Sequence, residues 1–173
     1  IGLLDQVRAQ RKWWVIGIMI WIGCLSTQTI LRNQDWLSGE RLYRHDVRLE
    51  PKSFLLHNNL GVIHYSNGNL SMAKINFENA IEATPGKRYG VAINNLGVVY
   101  ENLGNVPLAI QYFYNSIEAN QYYNAYINLA RVLLKQQNME EADIIIQKGL
   151  AQYPTNPTLK HYKKILKNQN LKE

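Results

Sequence analysis

Cysteine occurs once in 173 residues, as Cys24, so no disulfide and no cysteine-based metal site can form within the chain. Charge is scarce as well: Asp, Glu, Lys and Arg make up 18% of the residues, too few for a disordered polyampholyte. The four histidines, His45, His57, His64 and His161, are scattered in a way that suits packing or surface rather than a ligand set. There is no glycine-rich phosphate loop, no serine elbow and no clustered pair of carboxylates, so no catalytic residue and no cofactor is assigned to this stretch of chain. The net charge of +6 is densest in the tail "KHYKKILKNQNLKE". No recognition motif or interleaved aromatics accompany those lysines, which fits a solvated end helix and argues against a nucleic-acid partner.

Hydrophobic residues, at 46%, suffice for one ordinary core and something extra. The extra part is residues 13–31, "WWVIGIMIWIGCLSTQTIL", a run of 19 without a formal charge. As a helix it is roughly 28 Å long, about one hydrocarbon core. Arg11 and Lys12 stop it on one side, and Trp13, Trp14 and Trp36 bracket it as interfacial aromatics do. A transmembrane helix is therefore expected, with a buried core helix as the competing reading. A cleaved signal peptide would have a shorter apolar run ending in small residues, whereas this one passes into Gln28, Thr29, Ile30 and Leu31. The chain opens on Ile1, which suggests a piece of a longer protein or a processed product.

The chain then repeats itself. "HNNLGVIHYSNGN" at 57–69 returns as "INNLGVVYENLGN" at 93–105, 36 residues later. From Leu60-Gly61 the landmarks are Ala73, Phe77, Ala80 and Pro85; from Leu96-Gly97 they are Tyr100, Ala109 and Phe113, with Ser116 and Gln121 in the last two places. From Leu129-Ala130 they are Ala142, Ile146, Gly149 and Pro154. The interval is 36 and then 33, so a short insertion sits around "PGKRYG". A fixed period in the thirties signals stacked helical pairs that cannot bury their apolar faces alone.

These spacings resemble the tetratricopeptide repeat over residues 53–154, which implies an all-α right-handed solenoid. The expected organisation is a juxtamembrane segment at 1–12, the transmembrane helix at 13–31, and a linker with a degenerate half repeat at 32–52. Repeats follow at 53–86, 87–122 and 123–155, with a capping helix and tail at 156–173. Small residues at Gly61, Gly97 and Ala130 should let the helices of each pair lie close, with Ala73, Ala109 and Ala142 opposite, while Phe77, Phe113 and Ile146 fill the space between repeats. Gly68 and Gly104 suit a left-handed turn, and Asn69, Asn105 and Asn138 suit helix caps. Tyr43 stands eight residues before Pro51, as Phe77 does before Pro85, which suggests the degenerate half repeat. Asn156-Pro157 opens the capping helix.

The resemblance implies that the first helix of each repeat lines a concave, partner-binding face. Asn59, Asn95 and Asn128 recur there in register, each before the Leu landmark, and Asn58 and Asn94 add polar groups one residue earlier. This row is similar to the asparagine ladder of O-linked N-acetylglucosamine transferase, in which amides hold an extended peptide's backbone without reading its sequence. The competing reading is that each Asn bonds to the neighbouring helix. Helical periodicity adds Leu55, Tyr65, Val98, Glu101, Ile127, Arg131 and Lys135 to the same face, mixed in sign and more basic towards the C-terminus. That pattern does not match the basic clamp with which chaperone-binding repeats grip a C-terminal carboxylate.

The junction "ILRNQDWLSGERLYRHDVRLEP" resembles the boundary in polytopic membrane glycosyltransferases with C-terminal tetratricopeptide repeats, including the O-mannosyltransferases acting on cadherins. Arg32, Asn33, Trp36, Glu40, Leu42, Tyr43 and Pro51 carry the resemblance. It implies a membrane-anchored interaction module that presents a protein acceptor to a catalytic site in loops outside this chain, with the repeats on the extracytoplasmic or lumenal side. A stand-alone membrane-tethered scaffold for assembling a complex is the alternative.

Overall fold

The computed structural model describes the backbone of residues 3–36, 39–120 and 122–170 and the side chains of 13–30, 39–120 and 122–168. Gln121 lies outside the described residues, and so do the side chains of Arg11, Lys12, Leu31, Arg32, Asn33 and Trp36. Among the described residues every element is helical, and the chain divides into two units, residues 1–45 and 46–173.

In the first unit, α1 (Leu3–Trp36) carries an apolar window, Trp13–Ile30, of mean hydropathy 1.4, none of which is buried. It is long and apolar enough to cross a membrane. The Thr27 and Thr29 hydroxyls donate to the carbonyls of Gly23 and Leu25 at 2.8 and 2.9 Å, so these polar groups are satisfied within the helix itself. The second helix, α2 (Gly39–Leu49), occupies the place of the expected degenerate half repeat; it is amphipathic, buries none of its residues, and pairs Arg44 with Glu40 at 2.8 Å.

The second unit is three helical hairpins and a closing helix. The pairs are α3 (Phe54–Ser66) with α4 (Leu70–Glu82), α5 (Gly90–Asn102) with α6 (Val106–Asn120), and α7 (Tyr123–Lys135) with α8 (Met139–Gln152); α9 (Pro157–Asn170) packs on α7 and α8. Each hairpin turns the same way. Gly68 and Gly104 take φ of 76° and 78°, the left-handed region that glycine enters without penalty, and Gln137 takes 58° at the third turn. The next residue caps the second helix: the Asn69, Asn105 and Asn138 side-chain oxygens accept from the backbone N–H of Met72, Leu108 and Glu141 at 3.2, 3.3 and 3.4 Å. Asn156 does the same for α9, accepting from Leu159 at 3.0 Å.

The core follows from small residues facing large ones. A Cβ on Gly61 would lie 2.6 Å from the Phe77 ring and one on Gly97 2.7 Å from the Phe113 ring, so each glycine is a notch filled by the aromatic of its own hairpin. The same rings reach forward. Phe77 clusters with Leu96 and Val99 of the next repeat, and Phe113 with Leu129, Ala130 and Leu133 of the one after. Ala130 and Ile146 fill the third notch, both fully buried, and Leu159 and Leu166 of α9 cover the last apolar face.

The insertion at the first junction forms a short 3-10 turn, Pro85–Lys87, with Gly86 at φ 68°. Arg88 then donates through Nε and Nη2 to the carbonyls of Ala119 and Glu118, at 3.3 and 3.2 Å, on the last turn of α6. Those carbonyls have no partner within their own helix, so the guanidinium satisfies a helix end and complements its negative pole. Ser116, fully buried, donates to the Gly90 carbonyl at 2.6 Å beside it.

Candidate functional site

In the second unit α3, α5, α7 and α9 touch in succession, whereas α4, α6 and α8 make no contact with one another among the described residues. The row of first helices is therefore the inner, concave side. The amides at 58, 59, 94, 95 and 128 all stand on it.

Four of the five join in one directed chain. Asn128 Nδ2 donates to Asn94 Oδ1 at 2.9 Å, Asn94 Nδ2 to Asn95 Oδ1 at 3.3 Å, and Asn95 Nδ2 to Asn58 Oδ1 at 3.1 Å. The chain links three consecutive first helices. Asn58 and Asn94 are buried, at 6% and 3% exposure, and so form its inner half. Asn95 and Asn128 are half-buried, and each spends one N–H on the chain and keeps a second. Asn59 is half-buried and has no side-chain hydrogen bond among the described residues. The bonding between helices expected of the competing reading is therefore present, with one N–H of Asn95 and one of Asn128 left over from it.

Towards the C-terminal ends of these helices, Glu101 and Arg131 form a two-pronged pair at 2.7 and 2.6 Å across adjacent repeats. The hydrogen bonds from Arg131 hold the Glu101 carboxyl below its usual range in spite of burial, with help from the charges of Arg131 and Lys135. The same bonds raise the Arg131 guanidinium further. Its charge is spent on a neighbour, which leaves the middle of the groove close to neutral. Tyr65 packs against the core cluster around Leu96 and accepts from Asn102 Nδ2 at 3.0 Å; that nitrogen also donates to the Val98 carbonyl at 2.9 Å. Leu55 and Lys135 are exposed, and Val98 and Ile127 half-buried.

Two contributors escape a reading of the sequence. Asn102 belongs to the site through Tyr65, one residue beyond the periodic face. Tyr162 of α9 packs against the core cluster that contains Leu129, Ala130 and Leu133 of α7, which extends the row to a fourth helix. The 33-residue step from Leu129 to position 162 was the available signal for it.

The tetratricopeptide repeat profile matches residues 56–87, 91–123 and 123–156. No curated protein matches the sequence. Among solved structures, the fold is similar to a chain of the Cut9–Hcn1 hetero-tetramer of the APC/C, at 22% identity and TM-score 0.65, covering 82% of this chain. This chain spans only 28% of the length of that one. The first tetratricopeptide domain of Spaghetti (RPAP3), solved with the HSP90 peptide SRMEEVD, is similar at 20% identity and TM-score 0.62, covering 70% of this chain and 97% of that domain. The Arabidopsis OM64 tetratricopeptide domain gives 17% identity and TM-score 0.60 over 68% and 96% of the two chains.

Proposed function

The chain belongs to the tetratricopeptide repeat family, and we propose that it is a protein–protein interaction module whose concave groove holds an extended peptide by its backbone. The observation that carries this reading is the row of half-buried amides at Asn59, Asn95 and Asn128 on consecutive first helices. Asn58 and Asn94 fix the orientation of Asn95 and Asn128, while Tyr65 and the Glu101–Arg131 pair form the adjoining wall. A neutral amide row favours backbone groups over any one side chain, so affinity should depend little on peptide sequence. The HSP90 peptide in the Spaghetti (RPAP3) domain supports a peptide as the class of ligand. Asn59→Ala, which breaks no bond between helices, should weaken binding of a mixed peptide library by roughly 0.5–1.5 kcal/mol with an unchanged melting temperature. Unchanged affinity would remove Asn59 from the site and the ladder with it.

The finer reading places this module on a membrane, as the acceptor-presenting C-terminal part of a glycosyltransferase with its repeats outside the cytoplasm. Exposure of Trp13, Trp14, Ile18, Met19, Ile20 and Trp21 supports the anchor, since so large an apolar surface is costly in water. The junction residues Glu40, Leu42, Tyr43 and Pro51 support the enzyme family by resemblance. Alkaline carbonate extraction of membranes carrying the full chain should leave it in the pellet. Its release into the supernatant would contradict the anchor and leave a soluble scaffold.

A further inference from the structure

We propose that the C-terminal end of the groove, on α9, is a docking site for an acidic, Asp/Glu-rich peptide segment. The inference rests on the peptide-groove reading and adds to it the charge of the ligand.

Helix α9 contains Lys160, Lys163, Lys164 and Lys167 and no acidic residue. All four lysines are exposed, and none has an ion pair among the described residues. Several cations elsewhere are paired, Arg44 with Glu40, Lys74 with Glu78, Lys87 with Glu82 and Arg131 with Glu101, whereas among the described residues no cation on α9 is. Lys160, Lys164 and Lys167 follow one another at intervals of four and three, so they share a stripe on the side away from buried Leu159 and Leu166. The 33-residue step sets Lys164 and Lys167 beside Arg131 and Leu134 of α7, which α9 contacts, with exposed Lys135 at the end of the same helix. The Glu101 carboxylate on the first-helix row is already bound by Arg131. The stripe runs about 10 Å along the helix, and alternate side chains of an extended peptide recur at about 7 Å, so about two carboxylates fit along it.

A lipid surface is the poorer match. A helix that lies on a bilayer offers an apolar face beside its cations, and here that face is buried in the array through Leu159 and Leu166. Single-stranded nucleic acid asks for exposed aromatics among the cations, and the one aromatic ring on α9 besides His161, that of Tyr162, is half-buried.

The test uses the full chain in zwitterionic nanodiscs and two labelled dodecapeptides, (Glu-Ser)6 and (Gln-Ser)6, read by fluorescence anisotropy. The acidic peptide should bind more tightly, its affinity falling steeply with added salt. The triple variant Lys160→Gln/Lys164→Gln/Lys167→Gln should weaken the acidic peptide by about tenfold or more and leave the neutral one and the melting temperature unchanged. Equal affinity for the two peptides, or retention of the acidic one by a folded triple variant, would overturn the site while leaving the groove reading intact. Binding of neither peptide would overturn both. Displacement of the acidic peptide by oligo-dT or by phosphatidylglycerol vesicles at far lower charge concentration than by unlabelled (Glu-Ser)6 would reassign the stripe to nucleic acid or lipid and overturn the proposal.

Discussion

The first two hairpins and the third solve the same packing problem with different residues. Hairpins one and two set a glycine against a phenylalanine, Gly61 with Phe77 and Gly97 with Phe113, and make their turns with Gly68 and Gly104. The third sets Ala130 against Ile146 and makes its turn with Gln137 at φ 58°. A methyl is gained on one helix as a ring is lost on the other, so the space between helices is conserved while its filling is not. What recurs along the chain is a volume and a turn geometry. The residue types are interchangeable solutions to it.

The shared packing is most vulnerable at Phe113, which is fully buried. Phe113→Ala empties a fully buried notch that also supports the next repeat, and should lower unfolding free energy by about 3–5 kcal/mol in denaturant melts. A loss within about 0.5 kcal/mol, the range of surface changes, would mean that the ring is not the shared filler.

Gly97→Ala sharpens the point, because its new methyl would meet the Phe113 ring at 2.7 Å and should cost about 1–3 kcal/mol. Combined with Phe113→Ile, which recreates the pairing of the third hairpin, the penalty of the methyl should largely disappear. Additive losses in the double-mutant cycle would show that the two residues do not share one space.

Asn94→Ala removes the link that both receives Asn128 and donates to Asn95. Stability should fall by about 1–3 kcal/mol because polar atoms beside a buried position lose their partners. Asn94→Asp keeps the acceptor for Asn128 but turns a carboxylate oxygen towards the Asn95 oxygen at a buried position, so it should lose at least as much, and parent-like stability in either variant would argue against the directed chain.

The Glu101–Arg131 pair carries a pH signature. Its folded-state carboxyl is held below the ordinary value, so its contribution is present above the unfolded pKa and is lost as pH falls through the folded one. Partial exposure of Arg131 limits it to about 1 kcal/mol. Stability of the parent chain should therefore fall more steeply below pH about 4.5 than that of Glu101→Gln, and parallel acid limbs would remove the pair from the account.

The smallest effect concerns the odd turn. Gln137→Gly relieves a left-handed conformation that disfavours side chains and should raise stability by about 0.5–1 kcal/mol, whereas Gly104→Gln should lower it by a similar amount.

Much of this was legible because it is local. Asparagine after a turn glycine reads as a cap, and Asn69 and Asn105 are caps; a proline after Asn156 reads as a helix start, and α9 begins there. The landmark spacings gave the pairing of helices and the buried state of Phe77, Phe113 and Ile146. Contacts made across thirty or more residues were not legible in the same way. Asn58 bonding to Asn95, and Arg88 reaching the end of α6, depend on side-chain direction and on how far neighbouring helices are staggered. Periodicity put the amides on one face of the first helices, but could not say that Asn128, Asn94, Asn95 and Asn58 would bond to one another. Gln137 in a glycine's conformation leaves no sign in composition at all.

If the groove holds a peptide by its backbone, the amides of successive first helices face it. Side-chain amide resonances of Asn59, Asn95 and Asn128, followed by 15N NMR during titration with (Gln-Ser)6, test this most directly. All three pairs of N–H signals should move together along one saturation curve, while the capping amides of Asn69, Asn105 and Asn138, at the hairpin turns, stay in place. Shifts confined to the capping amides, with the three groove amides unmoved at saturation, would contradict it.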